Sequence, residues 1–165
     1  GSTNKTVVNA GLSKAYSLPG LRMGWSVGSK EYINRAWSFH DYTVINAAYL
    51  SDWVASRIMT YDRRMKILNR TKTHLNHNLD MLIRWAENVP GLTVTRPQAA
   101  AITFARLNID MPSENFVYKL RDNFSVLITA GKWHYLEGYV RIGYGTPADY
   151  VQNGLDRIAD FIDSL

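Results

Sequence analysis

The 165-residue sequence contains no cysteine. This absence excludes disulfide bonds, thiolate metal sites and cysteine nucleophiles, and it favours a reducing compartment, so we predict a cytoplasmic protein. Long apolar runs are absent too: no stretch approaches the ~18 apolar residues of a membrane-spanning helix, and no signal-peptide segment opens the chain. We therefore predict no membrane partner.

The residues that are present are typical of a folded protein. Hydrophobic residues make up 46% of the sequence and charged residues 20%, unlike the composition of a disordered chain. The length fits one ordinary domain or two small ones. The formal net charge is +5, but the basic residues are scattered, and the one dense stretch, 63–72, has helical spacing. A solvated helix face is favoured there over a nucleic-acid surface, so we predict no nucleic-acid partner.

The spacing of apolar residues predicts two strands followed by helices in the first half of the chain. β-branched runs at 6–10 and 22–27 predict strands, and helical spacing predicts two helices around a turn at 40–43. These helices cover 30–39 and 45–58. The clearest helix covers 61–89 and ends at Pro90-Gly91. At ~1.5 Å per residue it spans about 40 Å, so we predict that it links two bodies.

After Pro90-Gly91 the pattern predicts a compact α+β module. Its predicted strands cover 92–95, 101–107, 126–129 and 139–143. Its predicted helices cover 114–123, with Ser113 as the cap, and 148–165.

Lys14 follows the first predicted strand, in a segment with no acidic residue before Glu31. A lone lysine at such a place is more often surface decoration. Here apolar residues surround it in the sequence, and desolvation beside a second cation, Arg22, favours the neutral amine that attacks a carbonyl to make a Schiff base. The planar guanidinium of Arg22 suits a phosphate, and Gly20 and Gly24 allow close approach of the backbone to a ligand.

Other catalytic patterns fail on inspection. A Ser-x-x-Lys motif ending at Lys14 needs serine at position 11, which is Gly11, and Gly131-Lys132 lacks the upstream glycine of a phosphate loop. The segment 143–148 is similar to the glycine-rich motif of a dinucleotide-binding site, but the sequence lacks a following strand with an acidic residue to bind the ribose. The histidines have no convincing metal-ligand spacing, so we predict no metal site.

Residues 13–25, SKAYSLPGLRMGW, closely resemble the cofactor-lysine segment of the class I/II aminotransferases, which are pyridoxal phosphate (PLP) enzymes of fold type I. Residues 41–43, DYT, and 138–145, GYVRIGYG, resemble the same family in the same order. The resemblance covers essentially the whole chain and corresponds to the C-terminal half to third of the family.

The resemblance implies a truncated PLP-dependent transferase fold of fold type I, an α/β fold. Residues 1–58 would be a remnant of the large PLP-binding domain, and 59–165 would be the linking helix and the small α+β C-terminal domain. In this family the acid that pairs with the pyridinium nitrogen lies upstream of the lysine strand, and no Asp or Glu precedes Lys14 here. We therefore expect a piece of a longer protein, inactive by itself, and Gly1-Ser2 is typical of a remnant of tag removal.

The resemblance also implies roles for single residues. Lys14 would form a Schiff base with PLP and move the proton between the substrate and the cofactor. Arg22 would hold the cofactor phosphate, and Ser13 is a second candidate because Gly11 stands where many relatives have a hydroxyl residue. Arg141 would bind the substrate α-carboxylate.

The substrate role of Tyr16 stays open, because it is equally a candidate for a core aromatic beside Trp25. The implied reaction transfers an amino group between an amino acid and a 2-oxo acid in a homodimer, with Tyr42 and Thr43 reaching a neighbouring site. The alternatives are another PLP-dependent α-carbon reaction, by a cyclase, lyase or oxidase, or a non-catalytic folded fragment.

Overall fold

The computed structural model describes residues 5–165, and this range holds six β-strands, five α-helices and two short 3-10 helices. Gly1-Ser2, interpreted above as a remnant, lies outside the described residues. The chain divides into two compact units, one up to Lys72 and one over Thr73–Leu165, with the boundary inside the longest helix. The domain division inferred from the resemblance, after residue 58, remains a prediction.

The first unit contains a two-stranded antiparallel sheet and the helices that follow it. Its elements are β1 (Val8–Gly11), β2 (Gly24–Val27), α1 (Lys30–Thr43), α2 (Tyr49–Ile58) and the first part of α3 (Tyr61–Asn88). The long helix therefore matches its prediction to within one residue, since the stripe of apolar side chains and the Pro90-Gly91 stop act locally.

The turn predicted at 40–43 is wrong. These residues form the last turn of α1, where the Val44 N–H donates to the His40 carbonyl at 2.9 Å. The helix ends at Thr43, its C-cap Val44 has a non-helical φ of −136°, and Ile45 follows in the left-handed region with a φ of 60°. As a result α2 begins at Tyr49 rather than at residue 45.

The second unit is an antiparallel sheet with helices. Its elements are the rest of α3, β3 (Leu92–Val94), β4 (Ile102–Leu107), α4 (Ser113–Phe124), β5 (Thr129–Ala130), β6 (Tyr139–Gly143) and α5 (Ala148–Asp163). The strand order is β3-β4-β6-β5, and every neighbouring pair is antiparallel. The predicted α+β module is confirmed in its element order.

The core of the second unit lies on one face of this sheet. Strand side chains alternate between faces, and Ala105 of β4 and Val140 of β6 are fully buried in the core cluster. Phe116 of α4 packs on Phe161 of α5 with ring centroids 4.9 Å apart. The alternation places Arg141 of β6 on the opposite face from this core.

Two local predictions in the second unit are wrong. Ser113 does not cap α4; it is the first helical residue, and the Glu137 carboxylate accepts its backbone N–H at 2.7 Å and its hydroxyl at 3.2 Å. Backbone N–H groups of Ser113 and Gly138 hold the pKa of Glu137 below its usual value. The strand predicted at 126–129 is only Thr129–Ala130, because pairing with β6 begins at Thr129.

Candidate active site

The connection between β1 and β2, residues 12–23, carries the predicted site residues Ser13, Lys14, Tyr16 and Arg22. The ladder closes at the pair Gly11 and Gly24, and the Leu12 N–H donates to the Met23 carbonyl at 3.1 Å just beyond it. The connection thus begins and ends at one end of the hairpin. Lys14 lies three residues after the end of β1, and Arg22 lies two residues before the start of β2.

A tight turn presents Lys14. The Ser17 N–H donates to the Lys14 carbonyl at 2.9 Å, and Ser17 has a φ of 55°. The hydroxyl groups of Ser17 and Thr71, a residue of the α3 segment in the same unit, lie 3.2 Å apart. Lys14 therefore sits in a turn that is hydrogen-bonded both internally and to a helix.

The expectation that Lys14 is partly desolvated is wrong for this chain. Leu12 is the side chain that turns inward, with 1% of its surface exposed, whereas Lys14 and Ala15 are exposed. The sequence showed apolar neighbours, but only the turn decides which of them lie beside the amine.

Arg22 directly follows a short 3-10 helix, Pro19–Leu21, and has a φ of 53°. Its Nη1 donates to the Pro19 carbonyl at 2.8 Å. This bond leaves most of the guanidinium donors without a protein acceptor within residues 5–165. The group is therefore tethered at one nitrogen and open to an anion at the others.

The two glycines that face each other across the ladder are packed against backbone. A Cβ on Gly24 would lie 2.9 Å from the Ala10 carbonyl oxygen, and one on Gly11 would lie 3.1 Å from that of Met23. At Gly20, by contrast, a Cβ meets nothing within 4 Å. Glycine is thus required sterically at position 24, and packing does not require it at position 20.

Tyr16 is half-buried, and its ring lies edge-to-face with that of Trp25 at a centroid distance of 6.5 Å. This contact is the packing arrangement that the sequence left open. Its contact with a substrate stays a prediction.

Arg141 lies in the second unit, at the centre of β6, opposite Phe104 of β4 and Thr129 of β5. It is half-buried, and within the described residues its guanidinium forms no ion pair or side-chain hydrogen bond. The strand alternation turns it away from the buried Val140 and Ile142. An unpaired guanidinium on a sheet face has the chemistry to bind a carboxylate.

Sequence analysis assigns no role to Asn78, which is fully buried in α3 and donates to two backbone carbonyls beyond β6. A signal was present: the amide stands in the apolar stripe between Leu75 and Leu82. A buried polar group needs hydrogen-bond partners. The Nε2 of His74, one turn earlier, lies 3.2 Å from the Gly145 carbonyl oxygen.

The family model for aminotransferase class I and II matches residues 2–158. The chain belongs to this family. A probable N-acetyl-LL-diaminopimelate aminotransferase of Bacillus subtilis is 29% identical over 96% of the chain, which spans 40% of that protein. An aspartate aminotransferase of Pyrococcus horikoshii is 25% identical over 93% of the chain, again spanning 40% of the relative.

A solved structure shows the fold. The crystal structure of a PLP-dependent aminotransferase from Streptococcus suis superposes with a TM-score of 0.91 at 31% identity, over 96% of this chain and 42% of that one. The fold is that of the PLP-dependent fold type I enzymes, as expected, and the match corresponds to a C-terminal portion of them. Within the described residues, no helix is both long and apolar enough to cross a membrane.

The family implies pyridoxal phosphate as the cofactor. The groups in the 12–23 connection fit that molecule chemically: an amine suits its aldehyde, and a guanidinium and a hydroxyl suit its phosphate. Nothing in the connection opposes an anion, because the sequence has no carboxylate before Glu31.

Proposed function

We propose that this chain is part of a PLP-dependent aminotransferase that transfers an amino group between an amino acid and a 2-oxo acid. The observation that carries the proposal is the β1–β2 connection, which holds an exposed amine and a largely unpaired guanidinium without a carboxylate, in a chain of the aminotransferase family. The chain spans about 40% of the curated relatives, so the activity is proposed for the whole protein.

Lys14 is the proposed catalytic residue. Its amine would hold the cofactor covalently at the aldehyde and then, once released by the substrate, carry the proton that leaves the α-carbon. Bound PLP supplies an electron sink for the charge that develops on that carbon. The turn that holds the Lys14 carbonyl orients the base of this side chain.

Arg22 and Ser13 would bind the cofactor phosphate. The free nitrogens of Arg22 match the oxygens of a dianion, and the bond to the Pro19 carbonyl restrains the guanidinium before the ligand arrives. In the second unit, Arg141 would bind the substrate α-carboxylate, because its guanidinium has no carboxylate partner among the described residues. Tyr16 is a further substrate-contact candidate.

The decisive experiment uses the full-length protein with added PLP. We expect an absorption band near the visible edge, and amine transfer that depends on a 2-oxo acid. Lys14→Ala should remove the band and reduce turnover by at least about a thousandfold. Lys14→Arg is the matched control, because it keeps the positive charge but has no amine that could form the Schiff base. Products that appear without a 2-oxo acid would instead indicate a cyclase, lyase or oxidase.

We expect the 165-residue chain to be inactive by itself, since no acid precedes Lys14 to pair with the pyridinium nitrogen. An absorption band formed by this chain alone, and lost in Lys14→Ala, would contradict an inert fragment.

The proposal includes a homodimer in the cytoplasm, without a nucleic-acid or membrane partner. Large apolar side chains of the first unit support an interface there, because Tyr42 is 88% exposed and Ile45 76% exposed. Sedimentation of the full-length protein tests this part, and a monomer at high concentration would contradict it. Fractionation of cells tests the compartment.

A further inference from the structure

Side chains of α3 hold the connection between β6 and α5. The Asn78 Nδ2 donates to the carbonyls of Tyr144 and Thr146, both at 2.8 Å. The His74 Nε2 lies 3.2 Å from the carbonyl between them, that of Gly145. Three consecutive carbonyl groups are therefore bound by two residues one helical turn apart, an arrangement we call the α3 clamp.

The hydrogen bonds of the clamp orient the Asn78 amide. Both amide hydrogens of Asn78 are used by carbonyl oxygens, and a flipped amide would place its own oxygen against those two acceptors. Asn78 Nδ2 also lies 3.4 Å from His74 Nε2, but no amide hydrogen is left for a hydrogen bond between them. Since the Gly145 carbonyl oxygen can only accept, the contact at 3.2 Å is a hydrogen bond in the tautomer that carries the hydrogen on His74 Nε2.

Tyr144 ties the same connection to the start of β4. Its N–H donates to the Ala101 carbonyl at 2.9 Å, and its hydroxyl donates to the Ala100 carbonyl at 3.0 Å. Burial raises the pKa of the Tyr144 phenol, so it keeps the proton that it donates. Ala100 has a φ of 80°, a strained conformation that persists only where its surroundings hold it.

The clamp lies beyond the point where β6 loses one of its two neighbouring strands. The pairing of β5 with β6 ends at Thr129 and Arg141, so beyond Arg141 the strand pairs with β4 alone. Tyr144 is the third residue after Arg141, and it is the first that Asn78 binds. The end of the strand that carries Arg141 is therefore held by β4 on one side and by α3 beyond the last pair.

We propose that Asn78, assisted by His74, is a positioning residue that fixes the end of β6 and thereby aims Arg141 at the substrate carboxylate. The inference rests on the proposed function of Arg141. Loss of the clamp should act on substrate binding, because a guanidinium displaced from the carboxylate loses the paired hydrogen bonds that hold it.

The test uses the full-length enzyme with PLP. Asn78→Leu keeps a similar volume and removes both donors. We expect the KM for the amino acid to rise about tenfold with kcat changed less than about twofold. The affinity for the unreactive α-methyl derivative of that amino acid, measured by calorimetry, should fall by the same factor. Asn78→Asp should do at least as much, since it places a carboxylate against the carbonyls.

Leu82→Ala is the matched control, because Leu82 is a fully buried residue of α3, one turn further on, without a polar contact. It should lower the melting temperature and leave KM unchanged. An equal rise of KM in Leu82→Ala, or an unchanged KM and affinity in Asn78→Leu, would overturn the proposal. If Asn78→Leu does not fold, His74→Leu decides: a KM raised about threefold supports the clamp and an unchanged KM overturns it.

The variant Arg141→Ala distinguishes a failure of the clamp from a failure of the proposed role of Arg141. If that variant binds the α-methyl amino acid normally, the assigned role of Arg141 is wrong. If it loses binding while Asn78→Leu retains it, only the clamp is wrong.

Discussion

The two units of the chain differ in where their apolar side chains lie. All residues of the hydrophobic core cluster belong to the second unit. In the described part of the first unit, the buried hydrophobic residues are Leu12 and Ala55, while Trp37 is 65% exposed and Leu50 71% exposed. The second unit therefore has a core of its own, and the first presents apolar surface.

This difference bears on the surroundings of the candidate residues in each unit. Arg141 lies on a sheet whose other face is packed, and hydrogen bonds inside the second unit hold the end of its strand. Lys14 lies in a turn with defined hydrogen bonds but without a shield from solvent. Burying apolar surface is the main stabilising term in folding, and within the described residues it is concentrated in the second unit.

The largest expected effect compares one substitution in the two units. Leu120→Ala, at a fully buried position of α4, should lower the free energy of unfolding by about 2–5 kcal/mol. Leu50→Ala, at a 71% exposed position of α2, should change it by less than about 0.5 kcal/mol. Denaturant unfolding of the 165-residue chain measures both, and equal losses would mean that the first unit is packed as tightly as the second.

A smaller effect is expected at the ladder beside Lys14. Gly24→Ala would bring a Cβ to 2.9 Å from the Ala10 carbonyl oxygen, and such overpacking costs about 1–3 kcal/mol. Gly20→Ala, four residues earlier in open space, is the control and should be nearly neutral. Thermal unfolding followed by circular dichroism measures both variants. A neutral Gly24→Ala would show that the hairpin yields easily.

The smallest expected effect depends on pH. The pKa of Glu137 is lowered in the folded chain, so its carboxylate adds stability above the unfolded value, and this gain is lost as the pH falls through the folded pKa. Glu137→Gln should therefore have a lower melting temperature than wild type at pH 7, with a difference that shrinks below about pH 4.5. A difference that stays constant across this range would contradict the assignment of Glu137 as the cap of α4.

The local sequence pattern was enough to predict the bounds of an element wherever its own side chains define it. The apolar stripe of α3 and the strand at Tyr139–Gly143 were predicted at or within one residue of their bounds. The order of motifs along the chain was enough for the family, because the segment from Ser13 to Trp25 is long and specific.

The caps and bounds that were predicted wrongly depend mainly on residues distant in the sequence. The α4 cap is Glu137, a residue 24 positions from Ser113, and the extent of β5 is set by where β6 lies beside it. The end of α1 depends on a left-handed Ile45, which no local pattern indicated.

The sequence by itself determined the family, the candidate residues and most helix bounds, because periodic burial and motif order are properties of neighbouring residues. Only the tertiary structure decided that Leu12 turns inward while Lys14 is exposed, and that Asn78 binds the connection after Arg141. These facts depend on which distant groups meet, since a buried amide must find its acceptors wherever the fold places them.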